Sequence, residues 1–287
     1  MDTSVAVVAV KALVYFACLT AAGGALFVVI FGAQMIQAER RSVMHLARAM
    51  AVLGLYATMA RVLSLSAMLG DEWASALDDT LIRMILDGTE GRAVIVRSAG
   101  LILLALGLFA GGWTAFLALV GALAVVASFG LTGHTGSIGA VAMSLVTLHV
   151  IAVAYWVGAL VPLYGLTATA HQERLAPILS RFGSIAAGFV AMLVIAGLAL
   201  IWVLLGSVEA VISSEYGRLV LLKLSVVSAL LLLAAINKLR LTPAVAAGHP
   251  QARQQLRWSI AGEIALVIGV FIVTAAFTTV TGPPVME

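Results

Sequence analysis

The sequence predicts an all-α fold: a polytopic membrane protein, a bundle of about eight transmembrane helices with both termini on the outer side. Three observations carry that prediction. Of 287 residues, 63% are hydrophobic and 10% are charged, whereas a soluble domain carries about 25% charge. Runs of about 20 apolar residues recur along the whole chain, each long enough to cross a hydrocarbon core of ~30 Å. The charged residues are sorted by loop rather than scattered. No polar stretch is long enough for a separate soluble domain, so residues 1–287 read as one transmembrane unit. In lipid each backbone amide must be bonded within its own segment, which makes the apolar runs helices.

The first span covers 5–34. Its leader MDTSV lacks a basic region, the run is too long, and QAERR offers no small-residue cleavage site, so it reads as a retained helix, not a signal peptide. The single Cys18 rules out an internal disulfide and reads as a small buried filler. Span two, 49–70, carries Arg61 mid-helix. The loop after it repeats Trp73, Leu77, Leu81 and Ile85 every four residues, which predicts one amphipathic outer helix over about 71–87. Spans three and four, 94–111 and 113–131, meet near the pair Gly107 and Gly111, a spacing that permits close helix approach. Span five, 139–163, contains Pro162 near its inner end, where proline kinks or ends a helix. Spans six, seven and eight follow at 182–206, 219–237 and 260–280.

Orientation comes from the loops. After spans one, five and seven stand Arg40, Arg41, Arg48, Arg174, Arg181, Lys238, Arg240, Arg253 and Arg257, opposed only by Glu39 and Glu173. The loops after spans two and six hold most of the acids, including Asp71, Glu72, Asp78, Asp79 and Asp87. The positive-inside rule places the basic set in the cytoplasm and both termini outside. The net charge of +3 is therefore a topology signal, and nucleic acid is not a predicted partner. The acidic outer apron can attract a cation or a basic partner.

Ionisable groups inside spans cost about 3 kcal/mol or more at a helix centre, so each is a candidate for function. Arg61 is least readily explained by snorkelling. Lys223, about one turn into span seven, and Glu263, a turn into span eight, read equally as structural ion-pair partners or pathway residues. Lys11 reads as an interfacial anchor. His45, His171 and His249 fall in basic loops. His134 lies in the turn TGHTGS, where Gly133 and Gly136 free the backbone to dip inward. His149 lies about ten residues into span five, close to the midplane at about 1.5 Å per residue. Neutral imidazole binds metals and haem iron. Whether His134 and His149 meet depends on where the turn centres, and the glycines allow either depth. Thioether with imidazole suits Cu(I), but methionine is also an ordinary filler. Met143 sits about 120° around the helix from His149; Trp156, at i+7, is the closer facial neighbour.

SFGLTGHTG followed by LHVIAVAYWVGALVPL resembles the glycine–histidine turn and histidine–tryptophan–glycine helix of the bacterial copper-resistance D (CopD) membrane proteins. EYGRLVLLKLSVVSALLLLAAINKLRLTPAV is similar to that family's tyrosine–glycine, lysine and asparagine segment. SIAGEIALVIGVFIVTAAFTTVTGPP resembles its last, glutamate-bearing helix. The resemblance runs from Ser128 to Pro284; the first half agrees in span count and topology. It implies an eight-helix bacterial inner-membrane protein that handles copper, Cu(I) or Cu(II), often in uptake from the periplasm. It also implies a separate periplasmic copper-binding partner of the CopC type, since no such module is fused here. The family's characteristic positions carry over to His134, His149, Trp156, Gly158, Tyr216, Lys223, Asn237 and Glu263.

The leading expectation is a copper permease or importer in which the ion meets His134, passes His149 and moves inward along a polar path that includes Glu263. No nucleotide-binding loop occurs, so the chain reads as a transport or metal-binding protein rather than an enzyme, running downhill or on another gradient. The alternative is a haem b electron-transfer protein, such as a metal reductase, using His149 with His134 as axial ligands. A scaffold that docks the periplasmic copper protein is the third reading.

Overall fold

The computed structural model describes residues 3–110, 114–132, 139–205, 209, 212 and 215–280. Every regular element among the described residues is helical. Helix α1 (Thr3–Phe31) ends in a 3-10 turn at Gly32–Gln34. Next come α2 (Gln37–Leu69), a 3-10 turn at Trp73–Leu77, and α3 (Asp79–Asp87). Helices α4 (Thr89–Ala110) and α5 (Ala115–Ala127) follow, α5 tightening into a 3-10 turn at Ser128–Leu131. The second half holds α6 (Ala140–Thr169), α7 (Gln172–Leu205), α8 (Glu215–Ile236), a π-helical turn at Asn237–Leu241, α9 (Thr242–Ala246) and α10 (Ala252–Val280). Seven of these segments are long and apolar enough to cross a membrane, and the short apolar segment Ala115–Leu131 makes an eighth candidate.

Several helices run well past the predicted spans. α2 begins inside the basic stretch QAERR because Glu39 caps it, its carboxylate accepting the Ile36 N–H at 3.0 Å. α6 continues through Pro162 to Thr169. Proline has no N–H, so the Gly158 carbonyl loses its α-helical partner while the helix goes on. The segment after span seven, expected as a loop, stays helical through the π turn to Ala246. The outer segment is two pieces, not one helix. Asp71 takes a positive φ of 57°, and Asp78 N-caps α3 by accepting from Thr80 and Leu81 N–H at 2.9 and 3.1 Å. A capping aspartate starts a new helix where the apolar period alone predicted a continuous one. Ile85 is buried against Val62 and Val94, whereas Leu77 stays exposed.

α1 is the central element, packing on α2, α4, α5, α6 and α10. Its crossing with α6 is a backbone contact. A β-carbon on Gly23 would lie 1.8 Å from the Ala154 carbonyl oxygen, and one on Gly158 would lie 2.2 Å from the Gly23 α-carbon. Gly107 of the predicted small-residue pair packs on Ala118 of α5 within the same chain. α7 and α8 stand at the periphery with few buried residues, the surface expected of lipid-facing helices. Tyr155, stacked on Phe182 and Phe189 at ring-centroid distances of 5.5 and 4.3 Å, fastens α6 to α7.

Candidate functional site

Three distant stretches of sequence meet at one buried carboxylate. Trp156 on α6 donates its indole N–H to Glu263 Oε2 at 3.0 Å, and Asn237 donates its Nδ2–H to Glu263 Oε1. Trp156, Asn237 and Glu263 are 7%, 8% and 3% exposed. The Gly23–Gly158 contact, two residues along α6, brings that helix against the bundle centre and sets the height of the indole. Asn237 is the first residue of the π turn. A π turn widens the helix and redirects a side chain, and such turns are frequent at functional sites. Pro243 helps explain its position, since proline has no N–H to continue an α ladder.

Glu263 has no ion pair with a Lys, Arg or His among the described residues; the ion pairs found there lie elsewhere. Its charge is met by two neutral N–H donors. Asn237 Oδ1 is buried with no hydrogen-bond partner, and so is Ser259 Oγ, one turn along α10 toward the basic end. Orphaned polar atoms are uncommon in buried protein and each calls for a reason. Chemically, the cluster can hold a negative charge or accept a proton.

His149 is a separate feature. Its Nδ1 lies 3.3 Å from the Leu193 carbonyl oxygen on α7. A carbonyl accepts, so Nδ1 carries the hydrogen, and in the neutral form of the ring the lone pair is on Nε2. The ring packs where α7 has Gly197, 3.5 Å from the position a β-carbon would take. Lys223 on α8 lies within electrostatic range of the imidazole. His45, His171 and His249 are exposed, which leaves His149 as the one histidine within a span among the described residues.

His134 lies outside the described residues, as does the side chain of Tyr216, whose backbone belongs to α8. Met143 packs on the turn that leads to His134: a β-carbon on Gly130 would sit 2.9 Å from the Met143 carbonyl oxygen and 3.0 Å from its Cγ. No group of three or more His, Cys, Asp or Glu side chains suited to a metal occurs among the described residues. Cys18 is free and buried, close to Gly54.

Arg61 belongs to a different cluster, nearer the acidic end. It pairs with Glu90 at 3.5 Å and donates to the Val7 carbonyl at 3.4 Å. Lys11 donates to the Thr278 carbonyl at 2.9 Å, tying α1 to the far end of α10. Arg97 is 2% exposed, donates to Ser128 Oγ at 3.1 Å and stacks over Phe129 at 4.6 Å. Arg97 was not among the candidate residues read from the sequence. Its position inside the run VIVRSAGLILL was the signal that it is buried. At the basic end, Arg174 pairs with the buried Glu39 at 2.7 Å, and Arg253 donates to the Thr167 and Ala170 carbonyls that end α6.

The helices and their buried polar clusters define a polytopic membrane protein with polar side chains in its interior. The model of the copper resistance protein D family matches residues 176–277, and that of the copper resistance protein D-like N-terminal domain matches residues 1–143. The chain belongs to the copper resistance protein D family, and the likeness extends through the first half, where the sequence motifs had shown only span count and topology. Copper transport protein CutJ of Bacillus subtilis (strain 168) is 26% identical over 268 residues, covering 88% of this chain and 47% of that protein. The chain therefore spans about half the length of this curated relative. No solved structure matches.

Proposed function

We propose that this protein carries copper across the bacterial inner membrane, inward from the periplasm, with His149 as an intramembrane resting point and His134 as the entry ligand. Copper handling follows from the family; route and direction are this reading's own. The observation that carries it is the His149 ring, whose Nδ1–H is committed to the Leu193 carbonyl. Metal-binding histidines commonly donate their second N–H to a carbonyl, which fixes the tautomer and aims the other nitrogen. The lack of a three-donor cluster among the described residues suits a transported ion, which must leave as well as bind. Met143, whose carbonyl oxygen and Cγ lie against Gly130 in the turn that leads to His134, would add a thioether along that route. A resemblance to a copper transport protein supports the same reading.

The exposed acids Asp71, Glu72, Asp78, Asp79 and Asp87 form the surface on which a separate CopC-type copper protein delivers its ion. The sorted charges support placing this end, with both termini, in the periplasm. The test is copper-dependent loading of cells expressing wild type and His149→Ala at equal membrane levels. Loss of loading is expected. Unchanged loading removes His149 from the route.

A further inference from the structure

Glu263, Asn237 and Ser259 point to a proton. We infer that Glu263 is a proton-binding carboxyl, that Asn237 serves both its charged and its neutral form, and that this site couples proton movement to copper transport. The inference rests on the transport reading for its last clause only.

The argument starts from an imbalance. A carboxylate inside a membrane bundle is expensive unless it is paired, yet Glu263 meets two N–H donors and no cation among the described residues. Charged groups on the packing elements point elsewhere. On α1, Lys11 binds Thr278, Tyr15 packs on Phe271, and Cys18 lies by Gly54. On α6, His149 and Tyr155 face α7, and Tyr164 lies under Arg257. On α8, Lys223 lies near His149, and Glu215 and Arg218 stand at the opposite end of the helix from Asn237. Lys238 of the π turn packs its stem near Gly183, and Arg240 is exposed. On α10, Arg253 is occupied at the end of α6.

The amide of Asn237 resolves the imbalance. With Glu263 ionised, Nδ2–H and the Trp156 N–H donate to its two oxygens. When a proton binds Oε1, that oxygen becomes a donor, and an acceptor is needed. Asn237 Oδ1 is that acceptor: it is buried and otherwise unpartnered. Rotation of the amide by half a turn exchanges Nδ2 for Oδ1, while the Trp156 bond to Oε2 persists. Each protonation state thus has a complete set of hydrogen bonds around the carboxyl, with one proton gained and no other change in composition. Ser259 Oγ, buried and unpartnered on the same face of α10, is the one side-chain hydroxyl of that helix between the carboxyl and the basic end. Sodium is a poorer fit, because hard cations take about six oxygen ligands and the site offers the carboxylate and one amide oxygen.

The test has two arms. In the first, purified full-length protein without copper is followed by infrared difference spectroscopy while pH is changed. A titrating carboxyl band is expected that vanishes in Glu263→Gln and shifts in Asn237→Leu, which lacks the acceptor. A wild-type spectrum in which no band responds to either substitution overturns the proton site, and Asn237→Leu alone suffices should Glu263→Gln not fold. In the second, copper uptake into proteoliposomes is measured with and without an imposed proton gradient. Stimulation of roughly tenfold, a common size for coupling between sites, is expected in wild type and not in Glu263→Gln. Uptake indifferent to the proton gradient, or driven instead by a sodium gradient, overturns the coupling. No copper uptake under any gradient, with the carboxyl band still titrating, sinks the transport reading and leaves the proton site standing.

Discussion

Trp156 and Glu263 are joined across α6 and α10 by an indole N–H to carboxylate hydrogen bond of 3.0 Å. Behind the indole, α6 touches α1 backbone to backbone at Gly158 and Gly23. In front of it, the carboxylate takes its second donor from the π turn after α8. One bond therefore reports on the packing of four segments.

That bond has a measurable strength. Hydrogen bonds to charged groups contribute about 1.5–3 kcal/mol, whereas polar pairs in membrane bundles average about 0.6 kcal/mol. Trp156→Phe keeps the apolar ring and deletes the donor. In a double-mutant cycle with Glu263→Gln, unfolding in detergent is expected to show a coupling energy of about 1 kcal/mol, between those limits. Additivity within about 0.3 kcal/mol, as for independent sites, would show that the contact contributes nothing.

The Gly23–Gly158 crossing leaves no room for a side chain. Gly158→Ala is expected to push α1 from α6, lower the yield of monodisperse protein and weaken the Trp156–Glu263 bond. Gly165→Ala, on the same helix where an added β-carbon meets nothing within 4 Å, serves as the control. Size-exclusion profiles of the two variants in detergent compare them. Equal profiles would mean that the backbones separate at little cost.

Arg61 and Glu90 form a part-buried pair beside two further cations, Lys11 and Arg97. Removing one member of a buried pair costs roughly 3–5 kcal/mol, while replacing both with apolar residues is often near neutral. Arg61→Met is accordingly expected to lower thermal stability sharply, and Arg61→Met with Glu90→Leu to recover most of the loss. If the double variant is as unstable as the single, Arg61 is held chiefly by the Val7 carbonyl.

The sequence made the membrane helices plain because period and length are local properties. Each apolar run coincides with a helix among the described residues. Helix ends were less legible: Glu39, Asp78 and the Arg253 bonds to Thr167 and Ala170 are capping contacts, two of them within a few residues and one across the fold. Glu263, Asn237 and Trp156 each stood out singly, as polar or characteristic residues in oil. Their convergence did not, because a contact between residues 107 positions apart in the chain leaves no trace in one sequence. The π turn was equally hidden, since its wider hydrogen bonding has no composition signature.

Topology has a direct test. Cys18 is buried, so Cys18→Ser provides a silent background for single cysteines at Asp78 and Gln172, both exposed. An impermeant maleimide added to intact cells is expected to label the cysteine at Asp78, and that at Gln172 only after permeabilisation, as the positive-inside rule requires. The reverse pattern would invert the orientation and make the proposed import an export.

The decisive question at His149 is whether the ring is a ligand or only a tie between helices. Its Nδ1–H bond to Leu193 is compatible with both roles, so His149→Ala alone removes two functions at once. His149→Gln separates them: the amide N–H can still donate to the carbonyl, but no imidazole lone pair remains for a soft cation. Two variants then discriminate. If Nε2 receives copper, both lose copper loading by about tenfold or more, the scale on which losing one well-placed contact to the cargo acts, while His149→Gln retains wild-type stability in detergent. If glutamine restores loading to the wild-type level, the ring is a helix tie and the route runs past it.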